Sequence, residues 1–339
     1  MVANCRNAAE TVSGLSLRRM AMYRRLVCGP LMSEVELPEH LPVMVREILD
    51  VLRLRPGDTV VDGTLGLGGH TLEFLKMVTP GGHTFGFDWD KGMLNVAVAR
   101  IGNNPVFQPI NDDFRTMAIH LAELKGKVRG ILLDLGLNSA QVDDPERGFS
   151  FRESGALDMR MDRTRGEPAS ALLNRWTPGQ IEEVLQEFGD ERWARAIAKQ
   201  IVERRKASPL RTTQDLVDCV LAAIPPRARD KRIHPATRTF QSIRIATNSE
   251  LDGLKEALVD AASLLEPEGT LAVLSYHSGE DRIVKNTFRE LSGTGEFADV
   301  FRKPLEAGDQ EVRENPRSRS AKLRALRKID PKQDAEGNS

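Results

Sequence analysis

No run of about eighteen apolar residues occurs in this 339-residue chain, so no membrane-spanning helix is expected. Cysteine is scarce as well. Cys5, Cys28 and Cys219 are odd in number and lack disulfide or metal-clip spacing, which fits a reducing compartment. The six histidines form no H-x-x-x-H pair, and no zinc or iron site is expected. Aromatics are few, with 2 Tyr, 3 Trp and 12 Phe, which leaves a mainly aliphatic core. An excess of either charge is also missing: 48 Lys and Arg stand against 49 Asp and Glu. That balance argues against a general nucleic-acid coat. The length allows two domains, or one domain with a large insertion.

Glycine, by contrast, is concentrated. Residues 60–70 read VVDGTLGLGGH, an apolar run ending in Asp62 and followed by Gly63, Gly66, Gly68 and Gly69. Residues 71–78 continue at helical spacing until Thr79-Pro-Gly-Gly stops them. Strand, glycine turn and helix make half of a nucleotide-binding βαβ unit. Glycine lets the backbone approach a ligand, and the helix N-terminus offers unpaired N–H groups. The next strand, 83–87, ends at Asp88, about twenty residues on, where a carboxylate takes both ribose hydroxyls of an adenosine. The dinucleotide fingerprint G-x-G-x-x-G would need glycine where Thr71 stands. Threonine hinders the close approach of a pyrophosphate. S-Adenosyl-L-methionine (SAM), a sulfonium without phosphates, suits the loop better, with Asp62 placed to face the cation. A tight turn in an unrelated α/β protein is the bland alternative.

Upstream, residues 43–52 read as an amphipathic helix. Downstream, residues 91–100 read as a helix and 106–109 as a third strand ending in Asn111-Asp-Asp-Phe. The acid there could face an adenine amino group and Phe114 its ring, though Phe114 serves equally well as core. Residues 129–134 form a fourth strand, buried by pattern, ending in Asp134 and Leu-Gly-Leu-Asn-Ser-Ala-Gln141. Open α/β sheets bind ligands at strand carboxyl ends, and four strands bring Asp62, Asp88, Asp113 and Asp134 to one edge. The alternation then stops. Residues 143–163 are loop-like and charged. Thr177-Pro-Gly-Gln180 opens a helix with a cap and a first-turn proline, and further helices carry Trp193, Ile197 and Ile201, then residues 213–224. The sheet pattern resumes with a capping box expected at Thr247-x-x-Glu250 and a helix bearing Leu251, Leu254, Leu258 and Leu265. A fifth strand follows at 270–275, then a helix at 283–291 and two strands near 298–303 and 321–327. The fold expected is α/β, a Rossmann-like class I SAM-dependent methyltransferase sheet with an inserted helical domain. Its parts would be 36–142 with 237–329 for the sheet and 143–236 for the insertion. An extension (1–35) and a tail (330–339) would flank them.

Basic residues cluster at 200–211, 227–244 and 313–328. One such block is usually a solvated face, but three on a neutral chain suggest a localised anionic partner, with RNA leading. Residues 1–33 hold five arginines and one acid. A transit peptide, a disordered extension and a start codon upstream of Met32 all fit that composition.

Long motifs in one order then identify a family. His40-x-Pro-Val, Asp62-Gly-Thr-x-Gly-x-Gly-Gly-His70, Asp134-Leu-Gly and Gln141-x-Asp-Asp-x-Glu-Arg-Gly-Phe-Ser-Phe151 are four of them. Leu157-Asp-Met-Arg-Met-Asp162, Phe188-Gly-x-Glu-Arg192, His234-Pro-Ala-Thr-Arg-Thr-Phe-Gln241, His277-Ser-x-Glu-Asp-Arg-Ile-Val-Lys285 and Asn315-Pro-Arg-x-Arg-Ser320 complete the set. Together they closely resemble the RsmH (MraW) family of small-subunit ribosomal RNA cytosine-N4 methyltransferases over about residues 38–328. Departures are Asn138-Ser-Ala140 for the usual Ser-Ser-Pro, and Gly279 for the usual Leu. The resemblance implies cofactor contacts at Gly68, Gly69, His70, Asp88, Phe114, Asp134 and Gln141.

A cytosine N4 amine is a poor nucleophile because its lone pair is delocalised into the ring. A side chain must accept a hydrogen bond from it, and base-modifying enzymes generally unstack the base first. The Asp/Ser/Asn-Pro-Pro-aromatic motif of DNA N4-methyltransferases is absent. Asp134, Asn138 and Ser139 occupy its place and are the candidates for orienting the amine, with His277 and Ser278 second. His234, Arg238, Arg244, Arg317 and Arg319 are candidates for RNA contact. The partner expected is small-subunit ribosomal RNA or the assembled small subunit, in the cytoplasm, or in mitochondria if residues 1–33 are a transit peptide. Oligomeric state stays open, a homodimer included. A SAM enzyme with a protein or small-molecule acceptor and a non-catalytic RNA-binding assembly factor are the rival readings.

Overall fold

The computed structural model describes residues 41–230 and 233–331; the readings of 1–33 and of nearly all the tail lie outside them. Five parallel strands form the body of the sheet: β1 (Thr59–Asp62), β2 (His83–Phe87), β3 (Phe107–Ile110), β4 (Val128–Asp134) and β5 (Leu265–Ser275). β6 (Phe297–Asp299), β7 (Leu305–Glu306) and β8 (Lys322–Lys328) complete it, with β8 antiparallel to all its partners. The order is β3-β2-β1-β4-β5-β8-β6, with β7 paired to β8. It reverses direction between β1 and β4, the switch point at which such sheets bind ligands.

Strand periodicity assigns the two faces. Val60, Leu132, Ala272, Leu274 and Leu323 point to one side, against α1 (Val45–Leu52) and α2 (Gly69–Val78) through Ile48, Leu52, Phe74 and Val78. Val61, Ile131, Leu133, Leu271 and Val273 point to the other. There they meet α4 (Met117–His120), α11 (Leu254–Leu264) and α12 (Ser278–Ser292) through Met117, Leu258, Val284 and Phe288. β4 is buried on both faces almost throughout, as its unbroken apolar run requires. α3 (Lys91–Ile101) follows β2, and α5 (Ser139–Asp143) follows β4. The class I sheet expected from the sequence is the sheet observed.

A separate helical layer contains α6 (Ala169–Arg175), α7 (Pro178–Gly189), α8 (Ala194–Ala207), α9 (Thr213–Ala223) and α10 (Thr237–Asn248). Its core is Leu157, Met159, Leu173, Ile181, Ile197 and Leu216 with their neighbours. The capping box at Thr177 and Gln180 is present: Gln180 N–H donates to Thr177 Oγ1 at 3.3 Å, and Thr177 N–H to Gln180 Oε1 at 2.9 Å. The box expected at Thr247 and Glu250 is not. Thr247 lies inside α10, where its hydroxyl donates back to the Ile243 carbonyl at 2.7 Å, and α11 starts after Gly253 instead. The arginine-rich stretch before it hid a helix. That helix, α10, packs on α7 and puts Phe240 and Ile243 into the helical core, so this layer continues past residue 236. Leu265 belongs to β5, not to α11.

One buried cluster joins the layer to the sheet. Asp90 Oδ1 caps α3 by accepting from Gly92 N–H at 2.9 Å. Its Oδ2 accepts from Arg147 Nη1 at 2.8 Å and from Gln141 Nε2 at 3.2 Å. Arg147 Nη2 donates to the Arg160 and Met161 carbonyls at 3.1 and 2.8 Å, and Asn248 holds the same loop through Met159 O and Met161 N. Replacing Arg147 with alanine would leave the Asp90 charge buried and unpaired. Arg147→Ala should therefore cost about 3–5 kcal/mol, read as a lower denaturant midpoint; an unchanged midpoint would remove the pair from the fold's supports.

Candidate cofactor and acceptor site

The glycine loop is pinned to the two neighbouring strands, β2 and β4. Gly63 N–H donates to Leu132 O at 2.8 Å, Leu65 N–H to Phe87 O at 2.8 Å, and Gly66 N–H to Asp88 Oδ2 at 2.8 Å. Asp134 N–H donates to Thr64 Oγ1 at 2.6 Å. Gly66 (φ +53°) and Gly68 (φ +76°) occupy the left-handed region that favours glycine. Gly69 packs closely on Pro42: a Cβ there would lie 3.1 Å from its side chain. Thr71 does more than hinder phosphate, because its hydroxyl donates to Asp62 Oδ2 at 2.7 Å. Asp62 also accepts from Thr64 N–H, and burial pushes its carboxyl up despite these bonds.

Asp88 sits just past β2, with Oδ1 accepting from Asp90 N–H at 2.8 Å and Oδ2 from Gly66. Burial, followed by the charge of Asp90, pushes its carboxyl up to about 7, although the two backbone bonds oppose this. His70 is 6% exposed, yet neither ring nitrogen has a hydrogen-bond partner; its Nε2 faces Asp134 Oδ2 at 3.6 Å. An orphaned imidazole, a backbone cradle and three carboxylates within one turn of the loop fit a cationic adenosine ligand better than a pyrophosphate.

At β3 the acids are spent internally. Arg115 Nε lies 3.0 and 2.9 Å from the two oxygens of Asp113, and Asp112 pairs with His120 at 2.9 Å. Asp113 thus holds Arg115 rather than presenting a free carboxylate to an adenine. Phe114 is half-buried against the sheet core, and the Arg115 guanidinium lies 5.9 Å from its ring and 5.4 Å from that of Trp89.

Asp134 ends β4. Its Oδ1 accepts from the Tyr276 hydroxyl at 2.7 Å. Asn138 caps α5 in a capping box with Gln141 and lies beside Gly66. Gln141, placed among the cofactor contacts by resemblance, uses both side-chain atoms within the protein, Oε1 toward Asn138 N–H and Nε2 toward Asp90. The backbone of Ser139 is in the first turn of α5. His277 caps α12 with Nδ1 accepting from Glu280 N–H at 3.3 Å, and its Nε2 lies 3.1 Å from Glu280 Oε1. That ring is 7% exposed and faces Glu280 of its own helix. Tyr276, Asp90 and Arg147 were not singled out in the sequence. Asp90-Lys-Gly carries a recognisable helix-cap signal and Arg147 lies in the Gln141–Phe151 motif; Tyr276 carries none.

The RNA candidates separate in the same way. Arg244, a candidate for RNA contact, makes a bidentate pair with Glu250 at 2.8 and 2.7 Å, the two side chains 16% and 8% exposed. Arg317 forms an exposed pair with Asp143 at 3.0 Å, and Arg319 is exposed with no acid paired to it among the described residues. His234 stacks on Phe151 with ring centroids 4.6 Å apart. It lines a cleft of about 150 Å³ with Glu191, Trp193, Arg229 and Arg238. Much of the basic blocks is spent inside the fold: Arg204 on Asp215, Arg324 on Asp281, and Arg229, Arg327 and Lys328 on backbone carbonyls.

The profile of the MraW methylase family matches residues 38–329. The chain belongs to that family. It is 43% identical over 309 residues to the ribosomal RNA small subunit methyltransferase H of Trichlorobacter lovleyi, covering 86% of this chain and 98% of that protein. The protein of the same name from Heliobacterium mobile is 44% identical over 310 residues, covering 86% and 99%. That from Geobacter sulfurreducens is 44% identical over 307 residues, with the same coverage of 86% and 99%. As an MraW methylase the chain is an enzyme, and SAM is its methyl donor.

If Asp88 binds the cofactor ribose, its raised value makes SAM affinity pH-dependent. A folded value near 7, above the ordinary 3.8, means the fold prefers the protonated acid. This contribution to stability is full below about pH 4 and lost as pH rises through about 7. Ribose hydroxyls donate, so they favour the carboxylate, and binding below pH 7 must release a proton. Calorimetry should show SAM affinity rising by up to about tenfold per unit between pH 5.5 and 7. Asp88→Asn should flatten that slope and weaken binding by about 1–3 kcal/mol; an unchanged slope would take Asp88 out of the ribose contact.

Proposed function

We propose that this chain transfers the SAM methyl group to the N4 amine of a cytosine in small-subunit ribosomal RNA. The family match carries this reading, since its curated relatives are named ribosomal RNA small subunit methyltransferase H. Those names favour it over a non-catalytic assembly factor. The bacterial sources of these relatives support a bacterial cytoplasm. No helix among the described residues is long and apolar enough to cross a membrane, and only the composition of residues 1–33 favours mitochondria. We assign the helical layer, with its cleft at His234 and Arg238, to holding the RNA.

When bound, SAM supplies an electrophilic methyl and retains the C–S electron pair on leaving. The protein's part is to make the amine a nucleophile. Asp134 Oδ2 accepts one amine hydrogen, which localises the nitrogen lone pair, and takes that proton as the N–C bond forms. Gly66, Gly68 and Gly69 let the backbone approach the cofactor, and Asp88 binds the ribose. Gln141 acts indirectly, by holding Asn138 and Asp90 on either side of the glycine loop.

Methyl transfer from labelled SAM to small subunits lacking the modification, followed by nucleoside analysis, tests the reading; label anywhere but cytosine N4 would refute it. In single turnover, Asp134→Asn should retain a deficit at saturating SAM and RNA. Recovery to the wild-type rate would move the search to Asn138. For RNA, Arg319→Ala should weaken binding and lower the salt slope by about one unit without changing thermal stability. Arg244→Ala should instead lower the melting temperature, because it strands the buried Glu250.

A further inference from the structure

β5 delivers a residue to the carboxyl edge that no motif pointed to. The Tyr276 hydroxyl reaches across to β4 and donates to Asp134 Oδ1 at 2.7 Å. Its backbone is fixed as well, with Tyr276 N–H donating to Glu280 Oε2 at 2.9 Å, next to the α12 cap. Gly136 (φ +105°) lies beside the ring, where a Cβ would be in ordinary contact at 3.5 Å from Cδ2. Burial, then the neighbouring Asp134 carboxylate, holds the phenol well above its ordinary value, so it remains a donor at neutral pH. The second oxygen of Asp134 is different. Oδ2 faces His70 Nε2 at 3.6 Å, beyond hydrogen-bonding distance. One carboxylate oxygen is therefore held by a fixed donor, while the other keeps its lone pairs on the side of the glycine loop.

We infer that Tyr276 is a positioning residue for methyl transfer, its hydroxyl holding the Asp134 carboxylate so that Oδ2 alone receives the amine hydrogen. This rests on the role given to Asp134 in the proposed function. A free carboxylate rotates about its terminal torsion, which has a broad and roughly two-fold preference. A hydrogen bond from a ring fixed at both ends removes that freedom and spares the reaction the cost of re-orienting the acceptor. The backbone bond from Asp134 N–H to Thr64 Oγ1 fixes the base of the same side chain. The acceptor is thus held from both ends.

Tyr276→Phe removes only the hydroxyl. In single turnover on small subunits lacking the modification, at saturating SAM and RNA, it should slow transfer by about tenfold or more. SAM affinity by calorimetry and the melting temperature should stay close to wild type. In a cycle with Asp134→Asn the double variant should be no slower than Asp134→Asn alone, because Tyr276 acts only through that carboxylate. A wild-type rate for Tyr276→Phe overturns the inference. So does a double variant whose loss is the product of the two single losses, since that pattern marks independent effects on the fold. Should Tyr276→Phe melt early, the cycle is run below both melting temperatures and the same two outcomes decide. A wild-type enzyme that places no methyl on cytosine N4 overturns the proposed function, and the inference with it.

Discussion

The Asp90 carboxylate is the constraint on which the rest of the site depends. With one oxygen it caps the helix after β2; with the other it receives Arg147 from the loop leading into the helical layer and Gln141 from the helix after β4. A buried ion pair persists only when hydrogen bonds satisfy both charges. Here the arginine reaches two backbone carbonyls as well as the acid. Asp90 N–H in turn donates to Asp88, so the acid after β2, the cap of α5 and the entry to the helical layer share one hydrogen-bonded cluster. A displacement of any of the three strains the other two.

Electrostatics at the sheet edge follow from that rigidity. Asp62, Asp88 and Asp134 converge at the ends of β1, β2 and β4, and burial pushes the first two upward. The nearby guanidinium groups are already committed, Arg115 to Asp113 and Arg147 to Asp90. A bound sulfonium would favour the charged form of these acids, and a pyrophosphate would oppose it. The buried Thr71 supplies a hydroxyl donor to the buried Asp62.

Elements governed by local rules were legible in the sequence. The strand ending at Asp62, the glycine turn after it and the capping box at Thr177 each depend on residues within one strand or one helical turn. The misplaced cap at Thr247 shows where such rules fail. A threonine followed by a glutamate three residues on matches the pattern, but α10 runs through Thr247 and Arg244 engages Glu250 from inside the fold. The basic blocks show the same dependence on distant partners. A run of arginines looks like a binding surface until each partner is known, and here many of the partners are acids and carbonyls far along the chain.

By itself the sequence determined the class of sheet, the place of the cofactor loop and, through long motifs, the family. These rest on alternation, backbone conformation and order along the chain, which need no knowledge of what lies across the fold. Only the tertiary structure decided which charges face each other: that Gln141 braces the site, that His277 turns to its own helix, and that Tyr276 bonds to Asp134 from 142 residues away. A hydrogen bond depends on distances of a few ångströms and on direction, and sequence separation carries neither. The chain's composition supplies the groups, and packing of the sheet against its helices selects the pairs.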